Sequence, residues 1–217
     1  MIGITHLGHA CVLLDVDHGD THVRVLVDPG TYSVGFENAR ELDAVLVTHA
    51  HPDHVDLERL PALMAANPSA RLIVDAQTAA HDDLGNLAHH APGNGESIEL
   101  GGSAVTVLTT DHASVHSLLP NVPNNCYQLD DLAFHPGDSL TRPLQPVRVL
   151  LLPTGGPWMK LGEAIDYLRE VAPAVVVPIH QAGLAAVHQQ LHYQLLRTLA
   201  PTGTQVEELE PSVARFF

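Results

Sequence analysis

Of 217 residues, one is lysine, one is tryptophan and two are cysteine. The cysteines, Cys11 and Cys126, lie in apolar, strand-like surroundings. That context reads as two core thiols rather than a disulfide, and the expected setting is reducing and cytoplasmic. Basic side chains are scarce: 10 Lys and Arg face 25 Asp and Glu, the formal net charge is −15, and the cations form no patch. A protein that grips nucleic acid needs a basic surface to displace counterions from phosphates, so nucleic acid is not an expected partner. Bound divalent metals would offset some of that acidity locally. No apolar run reaches the roughly 18 residues of a membrane span, so no membrane is expected either. The chain opens on strand-like Ile2-Gly3-Ile4-Thr5 instead of a basic segment followed by an apolar one, so no signal peptide is read. No linker, low-complexity tract or close internal repeat interrupts the chain. With 45% hydrophobic and 16% charged residues it can build a large core, and one domain over 1–217 is expected. Nothing in the sequence indicates an oligomeric state.

What the chain has in excess is histidine, 16 in all. They are densest in Thr48-His49-Ala50-His51-Pro52-Asp53-His54, directly after the apolar run Ala44-Val45-Leu46-Val47. An uncharged, β-branched run of that kind reads as a buried strand, and Asp56 to Ala66 reads as the helix that follows. Three histidines and an aspartate therefore fall at the carboxyl end of a buried strand, where layered α/β folds build their sites. Residues two apart in extended chain point the same way, so His49 and His51 can grip one ion. Beyond the Pro52 turn, Asp53 and His54 can serve a second. Imidazole and carboxylate suit zinc and other divalent first-row metals. A solvated loop with Asp53 capping the next helix is the plainer reading, but it leaves three histidines at this spacing unexplained.

The remaining pattern alternates hairpins with strand–helix units. Strands are expected over Ile2 to Thr5, Cys11 to Val16, His22 to Val27, Arg71 to Val74, Ser97 to Leu100 and Ala104 to Thr109. Further strands are expected over Cys126 to Leu129, Leu132 to His135, Val147 to Leu152, Ala174 to Pro178 and Thr204 to Leu209. Gly101-Gly102 and Asp130-Asp131 mark hairpin turns. Helices are expected over Gln77 to Leu84, Leu161 to Val171 and Ala182 to Leu199, while Thr31 to Glu41 and Asn86 to Asn94 read as loops. About twelve strands and four or five helices in this order suit two sheets packed face to face with helices outside, an α/β (α+β) four-layer αββα sandwich.

His-x-His-x-Asp-His behind a buried strand resembles the signature of the metallo-β-lactamase fold superfamily. That resemblance implies a third histidine on the first ion, an aspartate shared by both ions and a last histidine on the second. Matching segments are Asp111-His112-Ala113-Ser114-Val115-His116, His135-Pro136-Gly137-Asp138-Ser139 and Val177-Pro178-Ile179-His180. The implied set is His49, His51 and His112 on one ion, and Asp53, His54 and His180 on the other, with Asp138 between. His116 is the alternative third ligand, or else a neighbour that faces substrate. Taken alone, Gly137-Asp138 also reads as an ordinary turn, and His180 as a packed core histidine. Leu7-Gly8-His9-Ala10-Cys11 and Pro157-Trp158-Met159-Lys160 are similar to small bacterial proteins near the L-ascorbate-6-phosphate lactonases. On that basis His9, Trp158 and Lys160 are candidates for the site's surroundings, although His9 and Trp158 read equally well as structural residues. Asp28 is a candidate to fix the tautomer of a ligand histidine. His188 and His192, four apart, read as a solvated helix face.

The activity implied is dinuclear hydrolysis of a small-molecule ester, lactone or phosphodiester. A hydroxide held between two divalent ions attacks, and Asp53 orients it and accepts its proton. Zinc is the first expectation for the metal, with manganese or iron accepted by the same donors. The rival from another class is a non-hydrolytic diiron redox protein or a metal-binding module on the same scaffold. Diiron members often carry Glu at the third motif position and lack a ligand at the place of His54, whereas both Asp53 and His54 are ligand-competent here.

Overall fold

In the computed structural model, which describes residues 1–217 with the side chain of Asp82 excepted, the chain opens as an antiparallel meander. It consists of β1 (Ile2–Gly8), β2 (Cys11–Asp17) and β3 (His22–Val27). His9 and Ala10 make the first turn, and Gly8 (φ 105°) and His9 (φ 52°) enter it in backbone conformations that only glycine adopts freely. Then come β4 (Ala44–Leu46), α1 (Leu60–Ala66), β5 (Arg71–Ile73), α2 (Ala76–Ala79) and β6 (His89–His90). The second half has two hairpins: β7 (Ser97–Leu100) with β8 (Ser103–Asp111), and β9 (Pro123–Leu129) with β10 (Ala133–His135). It closes with β11 (Val149–Pro153), α3 (Leu161–Val171), β12 (Val175–Ile179), α4 (Ala186–Leu199), β13 (Gln205–Val206) and β14 (Arg215–Phe216).

The strands form two mixed seven-stranded sheets, ordered β14-β1-β2-β3-β4-β5-β6 and β13-β12-β11-β10-β9-β8-β7. Period-two alternation then sorts the side chains. Leu46 and Ile73 of the first sheet meet Val107, Tyr127, Leu151 and Val177 of the second in the central core. Their neighbours Val45 and Leu72 face outward onto Phe36, Leu60 and Leu63. Leu150, Leu152 and Val176 face outward onto Ala164, Leu168, Tyr193 and Leu196 of α3 and α4. This is the expected αββα sandwich, held by burial on both faces of each sheet. Two hydrogen bonds tie the sheets together beside the histidine motif: Tyr127 Oη donates to the Val47 carbonyl (2.7 Å), and Asn125 N–H to that of Thr48 (2.8 Å). Among the described residues no helix is long and apolar enough to cross a membrane.

Three expectations are corrected, and one strand is new. The helix read from Asp56 starts at Leu60, because Asp56 Oδ1 takes the N–H groups of Glu58 and Arg59 and bends residues 56–59 into a turn. The stretch read as a loop over 86–94 contains β6, which pairs parallel with β5 through His89 and His90. The tail adds β14 against β1, with the Phe216 ring over Gly3, where a Cβ would lie 2.8 Å from it. The last helix begins at Ala186 instead of Ala182.

Candidate metal centre

The strands of both sheets deliver their carboxyl ends to one place. Asp28 follows β3, the 48–54 segment follows β4, His112 follows β8, Asp138 follows β10 and His180 follows β12. His9 arrives from the β1–β2 turn. The ligand-capable atoms fall into three overlapping groups, each with all atoms within 4.8 Å of one another: His49, His51 and His112; His9, Asp53, His54 and His180; and His49, His54 and Asp138. All seven residues read as ligands from the sequence converge, with His9 added.

The hydrogen bonds behind the rings decide which nitrogen faces the centre. His49 Nδ1–H donates to Thr48 Oγ1 (3.0 Å), which donates to Asp28 Oδ2 (2.8 Å). His54 Nδ1–H donates to the same Asp28 oxygen (2.7 Å). His112 Nδ1–H donates to the Ala113 carbonyl (2.6 Å), and that of His180 to the Gly155 carbonyl. Four histidines thereby have Nδ1 engaged and Nε2 turned inward, while His51 offers Nδ1, 2.9 Å from His49 Nε2. Second-layer acceptors of this kind fix the tautomer and sharpen the ring as a ligand. Asp28, with φ 49° and no solvent exposure, is itself anchored by the Thr48 N–H (2.7 Å).

Asp138 sits at the middle. Oδ1 lies 3.2 Å from His54 Nε2 and 3.1 Å from His180 Nε2, and Oδ2 lies 3.2 Å from His112 Nε2. Its turn is held by Asn124, whose Oδ1 accepts the Asp138 N–H (3.0 Å) and whose Nδ2 donates to the Pro136 carbonyl (2.9 Å). Gly137 has φ 59°, and a Cβ there would fall 2.2 Å from Asn124 Oδ1.

Electrostatics set the charge states. Burial, helped by neighbouring rings, pushes His49 well below its usual value and keeps it a neutral donor. Burial also opposes charge on His54, yet Asp138 and Asp28 outweigh it and hold that ring well above the ordinary range. Burial would raise Asp138, but His54, His112 and His180 hold it well below the carboxylate range. Burial would likewise raise Asp53; the His9 hydrogen bond and the nearby His54 keep it down at about 2. The cavity thus calls for positive charge. Four buried side-chain atoms among the described residues lack a hydrogen-bond partner, and three of them, His54 Nε2, Asp138 Oδ1 and His180 Nε2, face one another. Two imidazole nitrogens and a carboxylate oxygen buried without hydrogen-bond partners are costly unless a cation sits among them, so the donor set fits divalent metal.

The outlying candidates separate. His9 Nε2–H donates to Asp53 Oδ2 (2.9 Å) while its Nδ1 accepts the Ala182 N–H (3.3 Å). Both nitrogens are in use, so His9 steers Asp53 and has no lone pair for an ion. Trp158 is buried and donates to Asp138 Oδ2 at 2.7 Å. His116 stays outside: it is exposed, and its Nδ1 accepts the Leu118 N–H within a surface turn. Lys160 is also outside, because its N–H is bound by the Glu163 carboxylate and it caps α3 with its side chain exposed. His192 is half-buried and bonds the Thr154 carbonyl (2.8 Å), although the sequence reads it as solvated. Thr48 and Asn124 act on the cluster through Asp28 and Asp138, and neither residue type announces that role in the sequence. Only the position of Thr48, directly before the motif, marked it.

A family model described as "Beta-lactamase superfamily domain" matches residues 3–180. The chain belongs to that superfamily. It is 42% identical over 215 residues to protein Rv0786c of Mycobacterium tuberculosis, covering 97% of this chain and 98% of that one. It is 28% identical to a UPF0173 metal-dependent hydrolase of Pyrococcus horikoshii, covering 83% and 84% of the two chains. Among solved structures it is similar to Igni18, a metallo hydrolase from the archaeon Ignicoccus hospitalis (TM-score 0.73, 21% identity, 100% and 99% covered). It is also similar to the metallo-beta-lactamase fold protein YhfI of Bacillus subtilis (TM-score 0.72, 17% identity, 99% and 98% covered). These two likenesses show the fold of the superfamily member.

Proposed function

We propose that this superfamily member is a metal-dependent hydrolase of small molecules, working with two divalent ions, zinc foremost. The observation that carries the reading is the trio of unpartnered buried atoms on His54, Asp138 and His180, set beside the separate trio His49, His51 and His112. His49, His51 and His112 would hold one ion, Asp53, His54 and His180 the other, and Asp138, with an oxygen toward each group, would serve both. Ions held there supply Lewis-acid polarisation of the substrate and acidify water. Asp28 and Thr48 keep the rings aimed. His9 holds Oδ2 of Asp53, and the ionised Asp53 carboxylate is left to orient the attacking water and accept its proton. A lactone or other small ester is the first substrate class, on the likeness of the 7–11 and 157–160 segments to the ascorbate-6-phosphate lactonases, and a phosphodiester the second.

The test is elemental analysis of the purified protein followed by a screen against lactones, esters and phosphodiesters. Asp138→Ala and His51→Ala should lose metal and turnover together. Full metal content in both variants would defeat the ligand assignment. A metal-loaded wild type that consumes oxygen or exchanges electrons, and cleaves nothing, would favour the diiron alternative.

A further inference from the structure

A cavity of about 230 Å³ opens directly beside the histidine cluster, with His51 and His112 in its wall. The rest of the wall comes from the segment after β8 and is largely apolar, with Val115, Leu119, Pro120 and Val122. No lysine or arginine lines it. The arginine nearest the motif in sequence, Arg59, is turned onto Asp56 (2.6 Å) and the Gly30 carbonyl. A phosphate bound here would find no side-chain cation for its oxygens, which ordinarily draw charge-assisted partners. Leu119 is 57% and Val115 45% exposed, so both side chains are open to a ligand in the cavity.

We infer that this cavity is an acyl subsite, and that the substrate is a neutral ester or lactone whose apolar arm lies against Val115, Leu119 and Val122 while its carbonyl reaches the cluster at His51 and His112. The inference rests on the hydrolytic reading of the cluster and narrows it to carboxylic esters over phosphodiesters. Hydrolysis then breaks the acyl C–O bond. The acyl carbon gains the water oxygen, one water proton ends on the released alkoxide oxygen, and the acid sheds the other to solvent.

Zinc-loaded protein is titrated calorimetrically with straight-chain hydroxamates from acetohydroxamate to octanohydroxamate, and p-nitrophenyl acetate to decanoate are compared with bis-p-nitrophenyl phosphate as substrates. Affinity and kcat/KM are expected to rise about fourfold per methylene and to level off once the cavity is filled. Leu119→Glu and Val115→Glu, both at exposed positions, should keep the zinc content and flatten that slope. A slope near zero in the wild type, an unchanged slope in both variants, or faster cleavage of the phosphodiester than of the best ester overturns the proposal. A protein that takes up no zinc would instead remove the reading beneath it, which the metal assay distinguishes.

Discussion

Trp158 Nε1 donates a 2.7 Å hydrogen bond to Oδ2 of Asp138, the oxygen that also faces His112. The chain's one tryptophan is therefore fastened to the carboxylate proposed to lie between two ions. Trp158→Phe keeps an aromatic ring but deletes the donor together with the fused second ring. Outer partners of metal ligands are worth about 10–100-fold in affinity or activity. Metal affinity, read by competition with a chelating dye, is expected to fall by about that factor without loss of fold by circular dichroism. In the wild type, indole emission should change on metal addition. Unaltered affinity in the variant would reduce Trp158 to packing.

Gly30 lies against the backbone of the metal motif. A Cβ there would fall 1.8 Å from the Asp53 carbonyl oxygen and 2.6 Å from the His54 nitrogen, and backbone cannot swing aside as a flexible side chain can. Gly30→Ala should displace residues 53 and 54 together, costing about 1–3 kcal/mol of stability and most of the metal affinity. Gly162→Ala is the matched control: nothing lies within 4 Å of that position, and within α3 alanine should stabilise by about 0.5–1 kcal/mol. Thermal melts and metal content of the pair check both statements. Equal melting temperatures would refute the close approach at Gly30.

Twelve of the strands were legible because Val, Ile and Leu recur in short runs between turn residues, as in Val149–Pro153. β6 and β14 were not, since each is two residues long and carries His-His or Arg-Phe, with no apolar run to announce it. The metal motif was legible because its four ligand residues sit within six positions. The choice between His112 and His116 was not. Both follow β8, and it is the Ala113 N–H bonding to the Asp138 carbonyl (2.8 Å) that pins the chain at His112 and lets it leave before His116. Trp158 and Lys160 share one short segment with opposite fates, set by where α3 starts. His9 could be placed only once the β1–β2 turn was known to meet Asp53, 44 residues away in sequence.

Cys11 and Cys126 are both free and buried. Burial pushes both thiols up, Cys126 to about 11, so neither is ionised near neutral pH. Ellman's reagent at pH 8 should find no reactive thiol in the native protein and two after denaturation without reductant. A single rapidly reacting native thiol, or none after denaturation, would contradict this placement.

His135 and His6 are buried histidines outside the ligand set, and their protonation should add to the loss of stability on the acid side of neutrality. His135 Nε2–H donates to the Ala10 carbonyl (3.0 Å), and its Nδ1 accepts the Gly137 N–H (3.1 Å), so a second proton would set two donors against each other. His6 Nε2–H donates to the His9 carbonyl (2.9 Å). Burial pushes both below their usual value. In the unfolded chain they titrate near pH 6.5, so between there and their lower folded values the unfolded state binds more protons. Stability then rises with pH through that window: it is fully present above about pH 6.5 and is lost as pH falls, by at most about 1.4 kcal/mol per pH unit for each ring. Asp53, held at about 2, enters only in stronger acid. Urea midpoints of chelator-treated protein from pH 7.5 to 5 should therefore decline. His135→Gln, which keeps a donor for Ala10 and an acceptor for Gly137, should decline less steeply. Parallel curves for the two proteins would show that His135 is not among the groups responsible.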